Sequence, residues 1–223
     1  MKKQILILAL FLIGINLSAQ NRWSVYGGLN ISKGNDYVGN VVLQNPYFFT
    51  MQTEAKYTPG GFVGIAYDFN FKHGWSLQPA VEYDIMNYNI TNHTNKYSAE
   101  KDLIIPVEYD KLIEFTDHLH TLAIPVLVNF RVRVNDNIGL RLGAGPYMQA
   151  AVGGKISTLT GERWKVNDYY AGTRKYQFSA GVKAEIAIET GNHLSYSLGF
   201  QRPFCNSVIP KTTTINAGVR YTF

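Results

Sequence analysis

The chain has 223 residues, with 21 Lys and Arg against 16 Asp and Glu, a formal charge of +5. That excess is too weak to argue for nucleic acid, and a lone Cys205 excludes an intramolecular disulfide or a Cys-built metal site. With 15 Tyr, 12 Phe, 3 Trp and 20 Gly spread along its length, it has room for one β domain of ordinary size.

The chain opens with Met1-Lys2-Lys3, a short basic segment, followed by an apolar run from Ile5 to Leu17. Leu17-Ser18-Ala19 then offers a small-residue cleavage site before Gln20. This pattern predicts a secretory signal peptide over residues 1–19, to be set aside from the fold. The apolar run falls short of the roughly 20 residues that a membrane helix needs. No Cys follows it, so a lipoprotein signal is not expected. The expected domain is then 20–223, with 19 basic and 16 acidic residues, a charge of +3.

Eight extended segments follow, each apolar on alternate residues, the period at which strand side chains share a face. The first, Arg22–Ser32, lines up Trp23, Val25, Leu29 and Ile31. Pro59–Phe69 carries Val63, Ile65, Tyr67 and Phe69, and Trp75–Tyr88 carries Trp75, Leu77, Val81, Tyr83 and Ile85. Leu119–Val132 presents Leu122, Ile124, Val126, Val128 and Phe130, and Ile138–Ala150 presents Ile138, Leu140, Leu142 and Ala144. Lys175–Glu189 shows Phe178, Val182, Ile186 and Ile188, and Leu194–Gln201 shows Tyr196, Leu198 and Phe200. Thr212–Phe223 closes the series with Ile215, Ala217, Val219, Tyr221 and Phe223. Most reach the roughly 9–11 residues that a tilted strand needs to cross a bilayer.

The opposite faces carry Asp68, Glu82, Asp84, Arg131, Arg141, Lys183, Glu185 and Arg220, interspersed with glycines such as Gly28, Gly64, Gly143, Gly199 and Gly218. Alternation alone does not say which face is inside. A lipocalin-like soluble barrel would bury the apolar rows and wet the charges. Connection lengths break the tie. Long segments, Lys33–Tyr57, Asn89–His118, Ala151–Arg174 and Arg202–Lys211, alternate with short ones, Asn70–Gly74, Arg133–Asn137 and Thr190–His193. Outer-membrane barrels have short periplasmic turns and longer extracellular loops. Trp23, Phe69, Trp75, Phe130 and Tyr221 also cluster at the short-turn end, where a membrane interface favours amphipathic rings. The expected fold is therefore all-β, an antiparallel up-and-down transmembrane β-barrel, most simply of eight strands. Its four acids and four bases would form a mutually neutralising polar plug, with glycines making space beside the long cations. A ten-stranded variant would use Leu103–Phe115 as an extra hairpin.

The terminal run Asn216-x-Gly218-x-x-Tyr221-x-Phe223 resembles the signal by which bacterial outer-membrane assembly machinery recognises its substrates. His120-Thr121-Leu122-Ala123-Ile124-Pro125-Val126-Leu127-Val128 resembles the fourth strand of a barrel family common in Bacteroidetes, labelled porin-like or PorT-like. Gly139-Leu140-Arg141-Leu142-Gly143-Ala144-Gly145-Pro146-Tyr147 is similar to its fifth strand, and Ala217–Phe223 to its closing strand. The resemblance implies an outer-membrane location and no catalytic signature or cofactor. One branch of the family takes part in type IX secretion.

Chemistry is sparse. His118 and His120 share a strand face beside Asp117, a pattern compatible with weak metal binding or general-base duty, or with plain rim histidines. His193 and Ser195 fall at a short turn, and Gly60-Gly61 and Gly153-Gly154 lack the strand-to-helix setting of phosphate loops. The long connections differ in charge. Asn89–His118 balances to −3 and Ala151–Lys175 to +3. The basic set Lys155, Arg163, Lys165, Arg174 and Lys175 is a candidate to engage lipopolysaccharide phosphates or an acidic partner, or to lie against the acidic loop. Tyr47, Phe48 and Phe49, and Trp164, Tyr169 and Tyr170, form aromatic clusters in the first and third long connections. Three function classes follow. The first is a structural or binding barrel acting through its outer loops, with outer-membrane lipid, the assembly machinery and an extracellular or periplasmic protein as partners. The second is a rim enzyme acting on lipid A or peptides. The third is a narrow pore or envelope-secretion component.

Overall fold

A computed structural model of the chain describes residues 22–34, 37–44, 47–100, 103–157, 163–165, 178–191, 193–204 and 212–223. Within these, 37–53, 88, 90, 92–116, 156–157 and 163–164 are described by their backbone alone. The signal-peptide segment and Cys205 lie outside the described residues.

The described residues form eleven strands: β1 (Arg22–Lys33), β2 (Tyr37–Gln44), β3 (Tyr47–Lys56), β4 (Thr58–Asn70), β5 (Trp75–Glu100), β6 (Leu103–Arg133), β7 (Ile138–Ser157), β8 (Arg163–Lys165), β9 (Phe178–Thr190), β10 (Leu194–Pro203) and β11 (Thr213–Thr222). Eight of them pair antiparallel in chain order, β1-β4-β5-β6-β7-β9-β10-β11. β11 then returns to β1 from Ser24↔Thr222 to Lys33↔Thr213, closing the barrel. Closure satisfies the backbone donors and acceptors that an open sheet edge would leave facing hydrocarbon.

The two faces sort as alternation requires. Leu29, Val63, Ile65, Met148, Leu198 and Val219 project outward, with Leu29 70% and Met148 63% exposed. Inside stand Ser24, Asn30, Gln78, Asn129, Gln149, Gln201 and Asn216, all buried. Among the described residues one small buried apolar cluster joins Tyr26, Ala66 and Ala80, with Phe62 against it. A water-soluble domain shows the reverse arrangement. The barrel is greasy outside and polar inside, as a transmembrane strand set must be.

At the short-turn end, Trp23 lies 4.7 Å from Tyr67, Tyr67 4.7 Å from Phe69, Trp75 4.9 Å from Phe130 and Tyr221 5.2 Å from Phe223. These rings make a girdle where the strands leave the lipid. The turn between β4 and β5 is a single 3₁₀ turn, Lys72–Gly74, in which His73 and Gly74 take positive φ.

The other end departs from expectation. β5 and β6 run for 26 and 31 residues, far past the roughly 11 that a crossing needs. Within Asn89–His118, expected as a loop, the described residues instead form an antiparallel ladder in which Glu100 faces Leu103, with one register shift between Asn95 and Lys96. The first long connection holds β2 and β3, and β3 pairs with β5 from Tyr47↔Ser98 to Lys56↔Asn89. The third holds the end of β7 and the short β8. Leu103–Phe115 is the outer half of β6, so it adds no strands to the barrel, which has eight. Above the membrane both faces of a strand meet water, and the two-residue alternation that betrays a crossing is no longer required. Asn89-Ile-Thr-Asn-His-Thr-Asn-Lys has no such rhythm, yet pairs throughout.

The seam between β1 and β11 depends on close approach. Gly28 faces Gly218, and a Cβ added at Gly28 would fall 2.0 Å from the Ala217 carbonyl oxygen and 2.6 Å from the Gly218 Cα. Gly28→Val is expected to abolish the folded, heat-modifiable band on cold electrophoresis. Gly61→Val, whose added carbon meets nothing closer than 3.4 Å, should keep that band.

Candidate functional site

The interior is the first candidate, because an eight-stranded barrel has room there for side chains and little else. Alternation places Glu82 and Asp84 on the inner row of β5, Arg141 on that of β7, Lys183, Glu185 and Glu189 on that of β9, and Arg220 on that of β11. Lys183 Nζ donates to both Glu82 carboxylate oxygens at 2.6 and 2.5 Å. One Glu185 oxygen accepts from Arg141 Nη2 at 2.8 Å and from Arg220 Nη2 at 3.2 Å. Gln78 Nε2 donates to Asp68 Oδ1 at 2.7 Å. The Arg220 guanidinium also sits 4.8 Å from the centre of the Tyr26 ring, and Lys183 Nζ lies 5.8 Å from that of Phe62. Asp68, Glu82, Asp84, Arg141, Lys183 and Arg220 are each at most 3% exposed, and Glu185 is 9% exposed. The lumen is therefore a filled polar plug.

The eighth charge behaves differently. Arg131 stands at the short-turn mouth with its side chain one-third exposed, and Nη2 donates to Glu189 Oε1 at 2.9 Å. Two adjoining pockets of about 310 Å³ open there, sharing Arg22, Arg131, Arg133, Asp136 and Glu189. Arg131 belongs to this vestibule rather than to the sealed core. Asp84 lies nearer the extracellular end. Among the described residues it forms no salt bridge, and its Oδ2 and the Tyr147 hydroxyl have no hydrogen-bond partner.

The glycines have another role than the one expected of them. A Cβ at Gly64 would strike the Tyr26 ring at 2.5 Å, and one at Gly218 the Phe62 ring at 2.8 Å. Gly143 and Gly199 make the same room for the Asn129 and Asn216 amides. They accommodate inward aromatics and amides, not the long cations.

The second candidate lies where strands emerge on the long-connection side. Lys155 pairs with His118 on β6 and with Lys165 on β8, so all three share the outward face, and all three are exposed. Arg163 faces Ser157, with only its backbone described, as for Tyr47, Phe48, Phe49 and Trp164. Arg174, Lys175, Tyr169 and Tyr170 lie outside the described residues. His120 Nδ1 is 2.7 Å from the Tyr83 hydroxyl, and His118 Nδ1 is 2.7 Å from Asn87 Oδ1. Asp117 points the other way, into the barrel, and is buried. His193, with φ of 64°, is exposed on its turn while Ser195 is buried inside, so the two side chains diverge. Among the described residues no three His, Cys, Asp or Glu gather as a metal site would need. At the C-terminus, Asn216 points inward and is buried, whereas Tyr221 and Phe223 lie on the outer face.

Sequence reasoning missed two things. Glu189 continues the two-residue row of Lys183 and Glu185, and that spacing could have named it as the partner of Arg131. Lys33 and Lys56 also reach the outward extracellular rim. Lys33 ends the apolar row of β1, and Lys56 faces the outward Asn89.

Residues 18–208 match the protein family described as "Outer membrane protein beta-barrel domain". Among solved structures the chain is similar to Ail of Yersinia pestis, crystallised with the heparin analogue sucrose octasulfate, at 14% identity and a TM-score of 0.42, covering 92% of this chain and 100% of that one. It is similar to OprG from Pseudomonas aeruginosa at 12% identity and a TM-score of 0.46, covering 91% and 96%. For Neisserial surface protein A the values are 14% and 0.46, covering 90% and 97%. A sequence search of curated proteins found no match.

The Glu82–Lys183 pair makes the plug testable. Glu82→Gln leaves a buried ammonium without its counter-charge, and is expected to destabilise the folded barrel by about 3–5 kcal/mol. Combining it with Lys183→Met should recover most of that loss. Urea titration of the barrel in phosphatidylcholine vesicles, followed by tryptophan fluorescence, measures both.

Proposed function

Because the chain belongs to the outer membrane protein β-barrel domain family, we propose that it is a non-conducting, non-catalytic barrel of the outer membrane that works by binding through its extracellular sheet. The observation that carries this reading is the division of the molecule. Its lumen is closed by the Glu82–Lys183 and Arg141–Glu185–Arg220 ion pairs, while β5, β6, β2 and β3 build a four-stranded sheet beyond the membrane. A pore has no use for a sealed lumen, and a scaffold for recognition has a clear use for a rigid raised sheet. A rim enzyme would need a nucleophile beside a free histidine nitrogen. Among the described side chains, the hydrogen-bond partners of His118 and His120 are Asn87 and Tyr83 and not a serine or cysteine nucleophile.

On this reading residues 1–19 are removed on export, and 20–223 form the mature barrel. Asn216, Gly218, Tyr221 and Phe223 serve the assembly machinery before they close the seam. The Leu122-x-Ile124-Pro125 and Gly143-x-Gly145-Pro146-Tyr147 motifs support membership of the porin-like, PorT-like branch common in Bacteroidetes.

Two measurements test the proposal. In planar bilayers the wild-type protein should show no stepwise conductance, whereas Glu82→Ala/Lys183→Ala should admit small flickering currents. A chain in which an Asn-Gly turn replaces residues 91–115 should still give the heat-modifiable band, yet fail to complement the envelope phenotype of a deletion strain. Full complementation by the shortened chain would overturn the assignment of function to the sheet.

A further inference from the structure

On three of the barrel strands the outward row turns basic where it leaves its apolar stretch on the extracellular side. On β1, Leu29 and Ile31 are followed by Lys33. On β7, Met148 and Val152 are followed by Lys155, and on β10 Leu198 and Phe200 are followed by Arg202. On β6, running the other way, His118 and His120 precede Leu122 and Ile124. Lys56 on β3 stands on the same outward face. Of the outward side chains described at this rim, only Glu54 is acidic. The opposite rim ends its outward rows in Trp23, Trp75, Phe130, Tyr221 and Phe223.

The sharpest feature is a register row. Asn87, His118, Lys155 and Lys165 face one another in turn across β5, β6, β7 and β8. Directly opposed residues on one face bring their Cβ atoms to about 4.5–5.5 Å, and like charges so placed repel. Two exposed lysines in that position, beside a histidine, repel one another, and an anion lying across them offsets that repulsion. Val152 and Met148, just below on the same face, are apolar and exposed, so the anion sought is one carried at the membrane surface at this height. An ammonium is a compact point charge suited to a phosphate group.

We propose that Lys155 and Lys165, with His118 beside them, form a phosphate-binding site for lipopolysaccharide of the outer leaflet, and that the outward basic rim seats the barrel against that leaflet. Asn87 Oδ1 accepts from His118 Nδ1 at 2.7 Å, and Asn87 Nδ2 donates to the Pro59 carbonyl at 2.6 Å, which holds the imidazole on the outer face beside Lys155. The inference rests on the reading of the chain as an outer-membrane barrel with a binding role and names one of its ligands.

The experiment places the full mature chain in phosphatidylcholine nanodiscs and measures uptake of bisphosphorylated lipid A by native mass spectrometry. Wild type should retain it, and Lys155→Gln/Lys165→Gln should bind about 30-fold more weakly, at roughly 1 kcal/mol for each lysine lost near an anionic surface. Lys72→Gln, at the opposite rim, should bind like wild type. Dephosphorylated lipid A should bind like the double variant, and inorganic phosphate should not displace the lipid. Each variant is first checked for the heat-modifiable band. The substitutions remove a like-charge contact, so folding should be kept, and the single Lys165→Gln variant provides the same readout in milder form. Equal binding by the double variant, equal binding of dephosphorylated lipid, or displacement by inorganic phosphate would each overturn the inference. None of these outcomes bears on conductance or on complementation by the shortened chain, so the two readings can fail separately.

Discussion

A strand in hydrocarbon has no water to satisfy its backbone, and every other property of this molecule descends from that constraint. The pairing of β11 with β1 removes the last open edge. It also brings the two ends of the chain's barrel together, so Trp23 and Tyr221 enter one interfacial girdle and Phe223 N donates to the Trp23 carbonyl at 2.9 Å. Closure at eight strands leaves a narrow lumen. Alternation then fills that lumen with whatever residues are not facing lipid.

Those residues are polar because the outer face has taken the apolar ones, and a buried charge without a partner is expensive. The ion pairs are consequences of closure before they are anything else. Glu185 joins Arg141 on the neighbouring β7 and Arg220 on β11, two strands away, and Lys183 reaches Glu82 across the lumen. Tyr26 and Phe62 cover parts of Arg220 and Lys183, and the glycines opposite those rings make the cover possible. A lumen tied from wall to wall in this way opposes conduction and stiffens the scaffold. On the proposed reading, both effects leave recognition to the strands' outer ends.

The part of the fold inside the membrane was legible because lipid imposes a two-residue rhythm. From Trp23-x-Val25 to Tyr221-x-Phe223 the outward rows could be read residue by residue, and the inward acids and bases with them. The extracellular part was not legible for the same reason. Once β5 passes Asn87 neither face must be apolar, and a paired strand looks like a polar loop. The β2–β3 hairpin was hidden likewise. Arg131 shows a subtler limit. Its parity places it inside, but only the height of Glu189 and the open vestibule shows that it sits at the mouth. The candidate rim site was half visible. Lys155 and Lys165 stood out as charges of one long connection, whereas their opposition depends on the pairing of β7 with β8, which no periodicity announces.

The two rims show what the membrane asks of each end. Aromatic rings suit an interface made of glycerol and ordinary headgroups, because ring bodies stay in lipid while edges meet water. Lysines suit a surface of fixed anions, and they do so at the expense of mutual repulsion when no anion is there. A barrel in a symmetric bilayer would gain nothing from different rims. Here the outward rows of β1, β7 and β10 end basic above and those of β1, β5, β6 and β11 end aromatic below. The lateral surface therefore carries the asymmetry of the membrane it was built for. The raised sheet stands directly over the basic rim, since β5 and β6 run through it into the sheet, so on the proposed reading a contact of that rim with the leaflet would fix the height at which the sheet stands.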